Sequence, residues 1–442
     1  MTSSTGSARP VRPAGATGPA DAAGAPGTDG GRPPVSRRRL LGTAGATGAA
    51  GLALGATGGV LGHAAAQPAP PTALSSVGAA AYPFHGRHQP GIVQPVQAHG
   101  HLLALDLAPG TDRRATAGLL RRWSRTAAAL MAGGTADGAG TGSALDAGPA
   151  ALTVTFGFGA ALFDRLGLTS RRPDALAPLP DFSADALDRR RSGGELWVQI
   201  GADDALVAFD ALRALQRDGD GVARVRWHMS GFNRTPGAAA GPHTQRNLMG
   251  QVDGTNNPKE DDPDFARRVF VPSGGDARHP EWMGGGSYAV VRRIRMLLDD
   301  WERRPLAEQE RVIGRRKADG APLSGGTETT PVDLERRGAD GRLAVPANAH
   351  VRVSAPETNG GAAMLRRSYS YHDGHGPDGS PDAGLLFVAW QADPLTGFVP
   401  VQRKLDRGDA LSAFVRHEAS ALFAVPGGAA EGGYVGQALL EG

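Results

Sequence analysis

The chain has 442 residues, enough for two domains of ordinary size, and 40% of them are hydrophobic, so each domain can bury a core. The formal net charge of +3 is too small and too dispersed to favour nucleic acid or a polybasic membrane surface as a partner. The chain has no cysteine, which excludes disulfides, cysteine-ligated zinc, iron–sulfur clusters, a thiolate nucleophile and covalent c-type haem.

The N-terminal region is predicted to carry an export signal. Residues 1–35 are mostly Gly, Ala, Pro, Ser and Thr, which is typical of a disordered tail. Residues 36–66 begin with SRRRLL and continue as a weakly hydrophobic, Gly- and Ala-rich run. This pattern predicts a twin-arginine signal around Arg37 and Arg38, cleaved near Ala66, and an extracellular, periplasmic or envelope location. Because this route exports folded proteins, the signal also suggests a cofactor inserted before export.

Residues 67–245 are predicted to form one α+β domain, because hydrophobic residues alternate in four segments and follow helical spacing in two. In chain order these are a strand at 98–108, a helix at 111–134, strands at 148–158 and 195–202, a helix at 203–219 and a strand at 222–232. The order strand–helix–strand–strand–helix–strand is typical of a ferredoxin-like domain with an antiparallel sheet.

Residues 246–442 are predicted to form a second module of the same kind, although the pattern supports this order only in part. The predicted elements are a strand at 287–298, a helix at 299–317, a loop at 318–347, a short alternating strand from 350, an apolar strand at 363–372, a strand at 383–393 and a helix at about 397–418. Two such modules side by side would leave a crevice for a ligand.

Three separated segments of the second module carry the candidate chemistry. MGQVDGTNNP at 249–258 holds the carboxylate of Asp253, His350 begins HVRV, and Arg366 and Arg367 follow in an apolar strand. A lone histidine is more often structural, and an arginine pair is more often solvated, so only the combination points to a site. A haem peroxidase needs an imidazole iron ligand, a carboxylate behind it, an acid–base group and a cation.

In the order in which they occur, these segments resemble motifs of the dye-decolorizing (DyP-type) haem peroxidases. RNLMGQVDGTNNP contains the family's Gly-x-x-Asp-Gly motif from Gly250 to Gly254, NAHVRVSAPETN resembles the proximal histidine segment, and MLRRSYSY resembles the distal arginine strand. FHGRHQPGI and GLLFVAWQAD are also similar, so the resemblance covers most of the mature chain. Within the family, the chain resembles the exported subgroup, which includes deferrochelatase/peroxidase proteins of iron-uptake operons.

The resemblance implies two ferredoxin-like domains and one haem b per chain, held mainly by the C-terminal domain. It assigns Asp253 as the acid–base catalyst, Arg366 as the distal arginine and His350 as the axial iron ligand, with Asp409 as the acidic partner of His350. Further contacts to the haem propionates are expected from Thr255, Arg292 and Arg367.

The implied reaction is the reduction of hydrogen peroxide, coupled to one-electron oxidation of organic donors such as dyes, phenols or porphyrins. Donors too bulky to reach the haem would deliver electrons through surface aromatic residues, with Trp227, Trp301, Tyr369 and Trp390 as candidates. The physiological donor and the oligomeric state stay open.

A haem- or iron-handling protein of an uptake system, either a deferrochelatase or a non-catalytic carrier, is the main alternative, and iron-uptake proteins would be its partners. A carrier would need His350 but not Asp253 or Arg366. The remaining alternatives are a calcium-binding loop at Asp253, a chlorite dismutase-like enzyme and a purely structural acidic turn.

Overall fold

The structure, a computed structural model, describes residues 75–136, 142–239, 244–276 and 278–442, so the tail and signal predicted within 1–66 lie outside it. The strands are β1 (His99–Leu107), β2 (Thr153–Phe158), β3 (Leu196–Ala202), β4 (Ala223–Phe232), β5 (Ser287–Met296), β6 (Leu365–Arg366), β7 (Tyr369–His375), β8 (Pro381–Gln391) and β9 (Val415–Val425). The helices are α1 (Ser76–Ala79), α2 (Arg113–Met131), α3 (Ala160–Arg165), α4 (Ala205–Asp218), α5 (Phe265–Val269), α6 (Leu298–Glu302), α7 (Leu306–Ile313), α8 (His350–Val353), α9 (Phe398–Gly408) and α10 (Gln437–Glu441). Within these ranges no helix is long and apolar enough to cross a membrane.

The N-terminal half is an antiparallel sheet in the order β4-β1-β3-β2, with α2 and α4 packed on one face. The two helices begin where aspartates cap them: Asp112 accepts from the Ala115 amide, and Asp204 accepts from the amides of Leu206 and Val207. Their apolar faces cover the leucines of β1 that point to this side. The ferredoxin-like order predicted for this half is confirmed.

The C-terminal half has the equivalent order, β9-β5-β8-β7, with β6 also paired to β8. Single residue pairs join the two sheets at both edges, Phe158 with Ala424 and Phe232 with Ser370, so the strands close into a ring. Both halves lie within one compact unit, Pro71–Gly442. The predicted α+β class with two ferredoxin-like, antiparallel halves is therefore confirmed.

An aromatic core fills the space between the two sheets. Trp197 stacks on Phe423 with 5.3 Å between ring centroids, and its ring centroid lies 5.8 Å from that of Trp390.

The four aromatic residues predicted to relay electrons at the surface do not lie at the surface. Their side chains are almost fully buried: Trp227 is 5% exposed, Trp301 1%, Tyr369 0% and Trp390 0%. Large aromatic groups gain most from burial, and here they fill the cores.

The helix predicted at about 397–418 is wrong in its second part. The α9 helix ends at Gly408, a 3₁₀ turn covers Ala410–Phe414, and the following residues form β9 beside β5. From Ala419 to Phe423 buried and partly exposed residues alternate with period two, which is the pattern of a strand.

Two shorter elements also differ from the prediction. The helix expected at 299–317 is split into α6 and α7 around Pro305, and α7 ends at Gly314, whose φ of 92° is left-handed. The segment beginning at His350 is the helical turn α8, not a strand. Four alternating residues are too few to distinguish the two periods.

Candidate functional site

A cavity of about 550 Å³ lies against the face of the C-terminal sheet that is turned away from the N-terminal sheet. Its lining residues all fall between Asn247 and His417, so the cavity belongs to the C-terminal half. Strands β5, β8 and β9 contribute the floor, which consists of Arg292, Ile294, Leu385, Phe387, Val415 and His417. The volume is that of a small-molecule or cofactor site.

Asp253 is held in the cavity wall by a tight turn. Gly250 and Gly254 flank it with φ values of 77° and 122°, a backbone conformation that glycine adopts without strain. One carboxylate oxygen accepts from the Arg366 guanidinium at 3.2 Å, and the other accepts from the Asn247 amide at 3.3 Å. Both oxygens are thus oriented by protein donors, while the side chain stays partly exposed to the cavity.

Arg366 reaches the same wall from β6, where it pairs with Ala389 of β8. Its Nε donates to the side-chain oxygen of Asn257 at 3.1 Å, and its NH1 donates to Asp253. Arg366 and Asp253 therefore form a partly exposed ion pair at the cavity, contributed by segments more than a hundred residues apart in the sequence.

Arg367 is placed elsewhere, because neighbouring residues of a strand point to opposite sides. Its side chain is buried and donates to the carbonyl oxygens of Gly91, Gln94 and Pro95 and to the side chain of Gln97. It does not line the cavity. The predicted contact of Arg367 with a haem propionate is thus contradicted, since its guanidinium is committed to the segment at 91–97.

His350 lies at the start of α8 on the cavity wall. Its Nδ1 is 2.7 Å from a carboxylate oxygen of Asp409, which leaves Nε2 as the ring nitrogen for a cavity ligand. Burial lowers the pKa of His350, but the charge of Asp409 and its hydrogen bond raise that pKa by more, so the net shift is upward. Asp409 also caps the 3₁₀ turn by accepting from the Leu411 amide at 3.0 Å.

One end of the floor carries two nitrogen groups without a protein partner among the described residues: Nε of Arg292 and Nδ1 of His417. Arg292 pairs with Asp185 through its NH2, and its guanidinium lies 5.5 Å from the ring centroid of Phe182. Burial, and then the charge of Arg292, lower the pKa of His417 to about 3, so its ring is neutral. Two buried nitrogen groups beside a cavity fit the carboxylate of a ligand.

His417 was missed from the sequence because a β-bulge determines its direction. Arg293 pairs with Ala419 and Ile294 pairs with His417, so Glu418 is one extra residue in β9. An extra residue switches the face of the strand. Ala419, Ala421 and Phe423 point into the core between the sheets, whereas His417, an even number of residues before them, points to the cavity.

Thr255 also lines the cavity, but its hydroxyl donates to the Glu328 carboxylate at 2.9 Å. The hydroxyl of Thr244 donates to the same oxygen, so Glu328 is bonded to residues on both sides of Asp253 and stabilises the turn that carries it. No group of three His, Asp or Glu side chains in the described ranges is arranged to hold a metal ion. With Asp253 facing Arg366, the calcium-loop alternative has no support.

Comparisons with known proteins match both halves of the chain. The family models described as the N-terminal and C-terminal parts of Dyp-type peroxidase match residues 89–233 and 244–430. The dye-decolorizing peroxidase of Thermobifida fusca (strain YX) is 50% identical over 362 residues, which are 80% of this chain and 84% of the relative. The deferrochelatase of Escherichia coli (strain K12) is 35% identical over 420 residues, 92% of this chain and 97% of the relative.

A solved structure supports the same relationship. Ferric DtpA from Streptomyces lividans matches with a TM-score of 0.81 at 67% identity, covering 84% of this chain and 100% of that chain. The two family models match in order and together span more than half of the 442 residues. The chain therefore belongs to the Dyp-type peroxidase family.

Proposed function

We propose that the cavity binds one haem b per chain, whose iron His350 would hold, and that the protein reduces hydrogen peroxide while oxidising small organic donors by one-electron steps. One observation carries the proposal: a carboxylate-backed imidazole and the Asp253–Arg366 ion pair line the same cavity. An imidazole held in this way is suited to iron, and an acid–cation pair is suited to proton transfer to peroxide.

The residues present fit a haem group. The floor offers an apolar surface from Ile294, Leu385 and Phe387 to a porphyrin face. Arg292 and His417 supply buried, unpartnered nitrogen groups for its carboxylates, and Thr255 offers its main chain. Asp409 fixes the His350 ring through Nδ1 and increases the basicity of Nε2.

When bound, the haem iron supplies a coordination site for peroxide and the redox chemistry that its cleavage requires. Asp253 takes the proton from the near oxygen of hydrogen peroxide and delivers it to the far oxygen, which then leaves as water. Arg366 stabilises the negative charge that develops on the departing oxygen. Their ion pair keeps the carboxylate and the guanidinium together on one wall of the cavity.

Rapid mixing with hydrogen peroxide tests these roles. We expect His350→Ala to lose the haem absorption band, and Asp253→Asn and Arg366→Leu to retain haem but react about 10²–10³-fold more slowly. Asp300→Asn, which removes an exposed carboxylate paired with Arg303, is the control and should react like the wild type. Wild-type rates in both cavity variants would overturn the catalytic assignment and favour a haem carrier.

We further propose iron release from haem as a second function, because several relatives at 35–36% identity are named deferrochelatases. Iron-uptake proteins would then be the partners. The protein would be incubated with ferric haem, and both metal-free porphyrin fluorescence and released iron, chelated after reduction with added ascorbate, would be measured. Stoichiometric appearance of both supports this function, whereas stable haem with active peroxide turnover limits the protein to peroxidase chemistry.

We also propose that the protein is exported by the twin-arginine route, on the basis of the pattern in residues 36–66. Changing Arg37 and Arg38 together to lysine should retain the protein inside the cell, as judged by fractionation and immunoblotting. Unchanged export of this variant would contradict the proposal.

A further inference from the structure

Asn257 makes three hydrogen bonds to a single residue, Arg366. Its side-chain oxygen accepts from the Arg366 main-chain amide at 3.2 Å and from the Arg366 Nε at 3.1 Å. Its side-chain amide donates to the Arg366 carbonyl oxygen at 2.8 Å. The side chain of Asn257 therefore hydrogen-bonds both the backbone and the guanidinium of Arg366 at the cavity wall.

These contacts determine where the remaining donors of Arg366 can point. The guanidinium is planar and its five N–H groups have fixed directions. With Nε directed to Asn257 and NH1 directed to Asp253, the plane of the group is fixed. No described residue takes a hydrogen bond from NH2, so this is the nitrogen left for a ligand in the cavity.

We infer that Asn257 is a positioning residue, which aims the Arg366 guanidinium at the cavity ligand and keeps it against Asp253. This inference rests on the proposed function of Arg366. Asn257 lies on the same turn as Asp253, so it links the strand that carries the cation to the loop that carries the acid. An asparagine suits the position because it offers a donor and an acceptor without a charge that would compete with Asp253.

A thermodynamic cycle tests this role with Asn257→Ala, Arg366→Leu and the double variant in the haem-loaded protein. Two quantities would be measured: the rate of reaction with hydrogen peroxide, and the dissociation constant of fluoride from the visible spectrum. We expect Asn257→Ala to weaken fluoride binding and to slow the peroxide reaction, each by about tenfold. We expect no further change when Asn257→Ala is added to Arg366→Leu, because the effect passes through Arg366.

Asn233→Ala is the matched control. Asn233 donates its side-chain amide to the carbonyl oxygen of Ser368, two residues after Arg366, at 3.0 Å, and Asn233 does not line the cavity. It should keep wild-type fluoride affinity and rate. If Asn257→Ala does not retain haem, Asn257→Ser, which keeps a small polar side chain, replaces it.

The outcomes separate this inference from the proposed function. A wild-type rate and fluoride affinity for Arg366→Leu would overturn the role of Arg366 itself. Slow Arg366→Leu with wild-type Asn257→Ala would overturn only the positioning role. Equal losses from Asn257→Ala with and without Arg366, or an equal loss in Asn233→Ala, would show a general structural effect and would likewise overturn it.

Discussion

Asp409 performs two tasks with one carboxylate. One oxygen accepts from His350 Nδ1, and the other caps the turn at Ala410–Phe414 by accepting from the Leu411 amide. The side chain is nearly buried, so its charge is little screened by water. The position of the His350 ring is therefore tied to the start of the segment that leads into β9.

Asp409→Asn removes the negative charge beside His350 but keeps an oxygen that can cap the turn at Ala410–Phe414. The amide oxygen can still cap the turn, but the anionic partner of His350 is lost. We expect haem affinity to fall about 10–100-fold, as is typical for loss of a partner behind a metal ligand. Transfer of haem to an excess of apomyoglobin measures this change, with the exposed Asp340→Asn as control. An unchanged transfer rate would show that Asp409 serves only the turn.

His417 makes stability depend on pH. Its pKa is about 3 in the folded protein against an ordinary 6.5, because the ring is buried and faces Arg292. Above pH 6.5 the ring is neutral in both states and contributes nothing to this dependence. Below pH 6.5 only the unfolded chain gains the proton, so the free energy of unfolding falls by up to about 1.4 kcal/mol per pH unit towards pH 3.

Urea unfolding of the haem-free protein at pH 7, 6, 5 and 4 tests this prediction by comparing the wild type with His417→Gln. The variant lacks this titration, so the stability difference between the two proteins should change by about 1.4 kcal/mol per pH unit below pH 6. A difference that stays constant over this range would show that the folded protein binds the proton at position 417.

At the scale of elements, the end of α7 determines where α8 can lie. Gly314 ends α7 with a φ of 92°, and a Cβ atom there would lie 2.5 Å from Val351 and 3.2 Å from Ala349. The absence of a side chain therefore lets the two helical turns touch. Since His350 lies between these two contacts, the close approach also places His350, the proposed iron ligand.

Gly314→Ala should destabilise the protein by more than its backbone strain alone and should weaken haem binding, because α8 must move. Gly341→Ala is the matched control, since its φ of 73° is also left-handed but a Cβ atom there meets nothing within 4 Å. We expect about 1–2 kcal/mol from strain in both variants, with a further loss only in Gly314→Ala. Urea unfolding and haem titration measure the two effects, and equal losses would contradict the packing explanation.

At the scale of the whole molecule, the two sheets meet through single residue pairs at each edge, so other contacts must hold the halves together. The aromatic core between the sheets supplies some of these contacts, and the segment at 86–97 supplies others. Gln89 bonds the main chain of Phe156 and Pro426, which belong to different halves. Arg367, from the C-terminal half, donates to this same segment through four hydrogen bonds.

Arg367→Met should therefore destabilise the protein by about 3 kcal/mol, because four hydrogen bonds from a charged donor would be lost, two of them buried. Urea unfolding of the haem-free protein measures the loss. Arg303→Met, which removes an exposed guanidinium paired with Asp300, should change stability by less than about 1 kcal/mol. A similar small change in both variants would show that the segment at 86–97 does not hold the halves together.

The sequence predicted the N-terminal half well because its strands and helices are long and strongly periodic. In the C-terminal half, the sequence pattern predicts a helix that runs into the start of β9, and α8 is too short to show a period. Asp253, His350, Arg366 and Asp409 were identified through motif resemblance, and the structure brings them to one cavity. Their chemical roles stay predictions.

Long-range features of the site were beyond sequence reasoning. Asn257 and Asn247 fall within the motif region, but only the fold shows that they bond Arg366 and Asp253. The hydrogen bonds from Arg367 to residues 91–97 form only because this N-terminal segment contacts the C-terminal half. Such contacts leave no local pattern, because the partners are far apart in the sequence.

The bulge at Glu418 has a consequence for changes in chain length. Removing this one residue would leave the hydrophobic composition of β9 almost unchanged. It would restore simple alternation along the strand, with His417 and Ala419 as neighbours that still pair with Ile294 and Arg293 and still point to opposite faces. The bulge therefore gives β9 one residue more than its pairing needs, and a deletion at Glu418 would cost the ion pair with Arg293 without moving any other side chain to the opposite face.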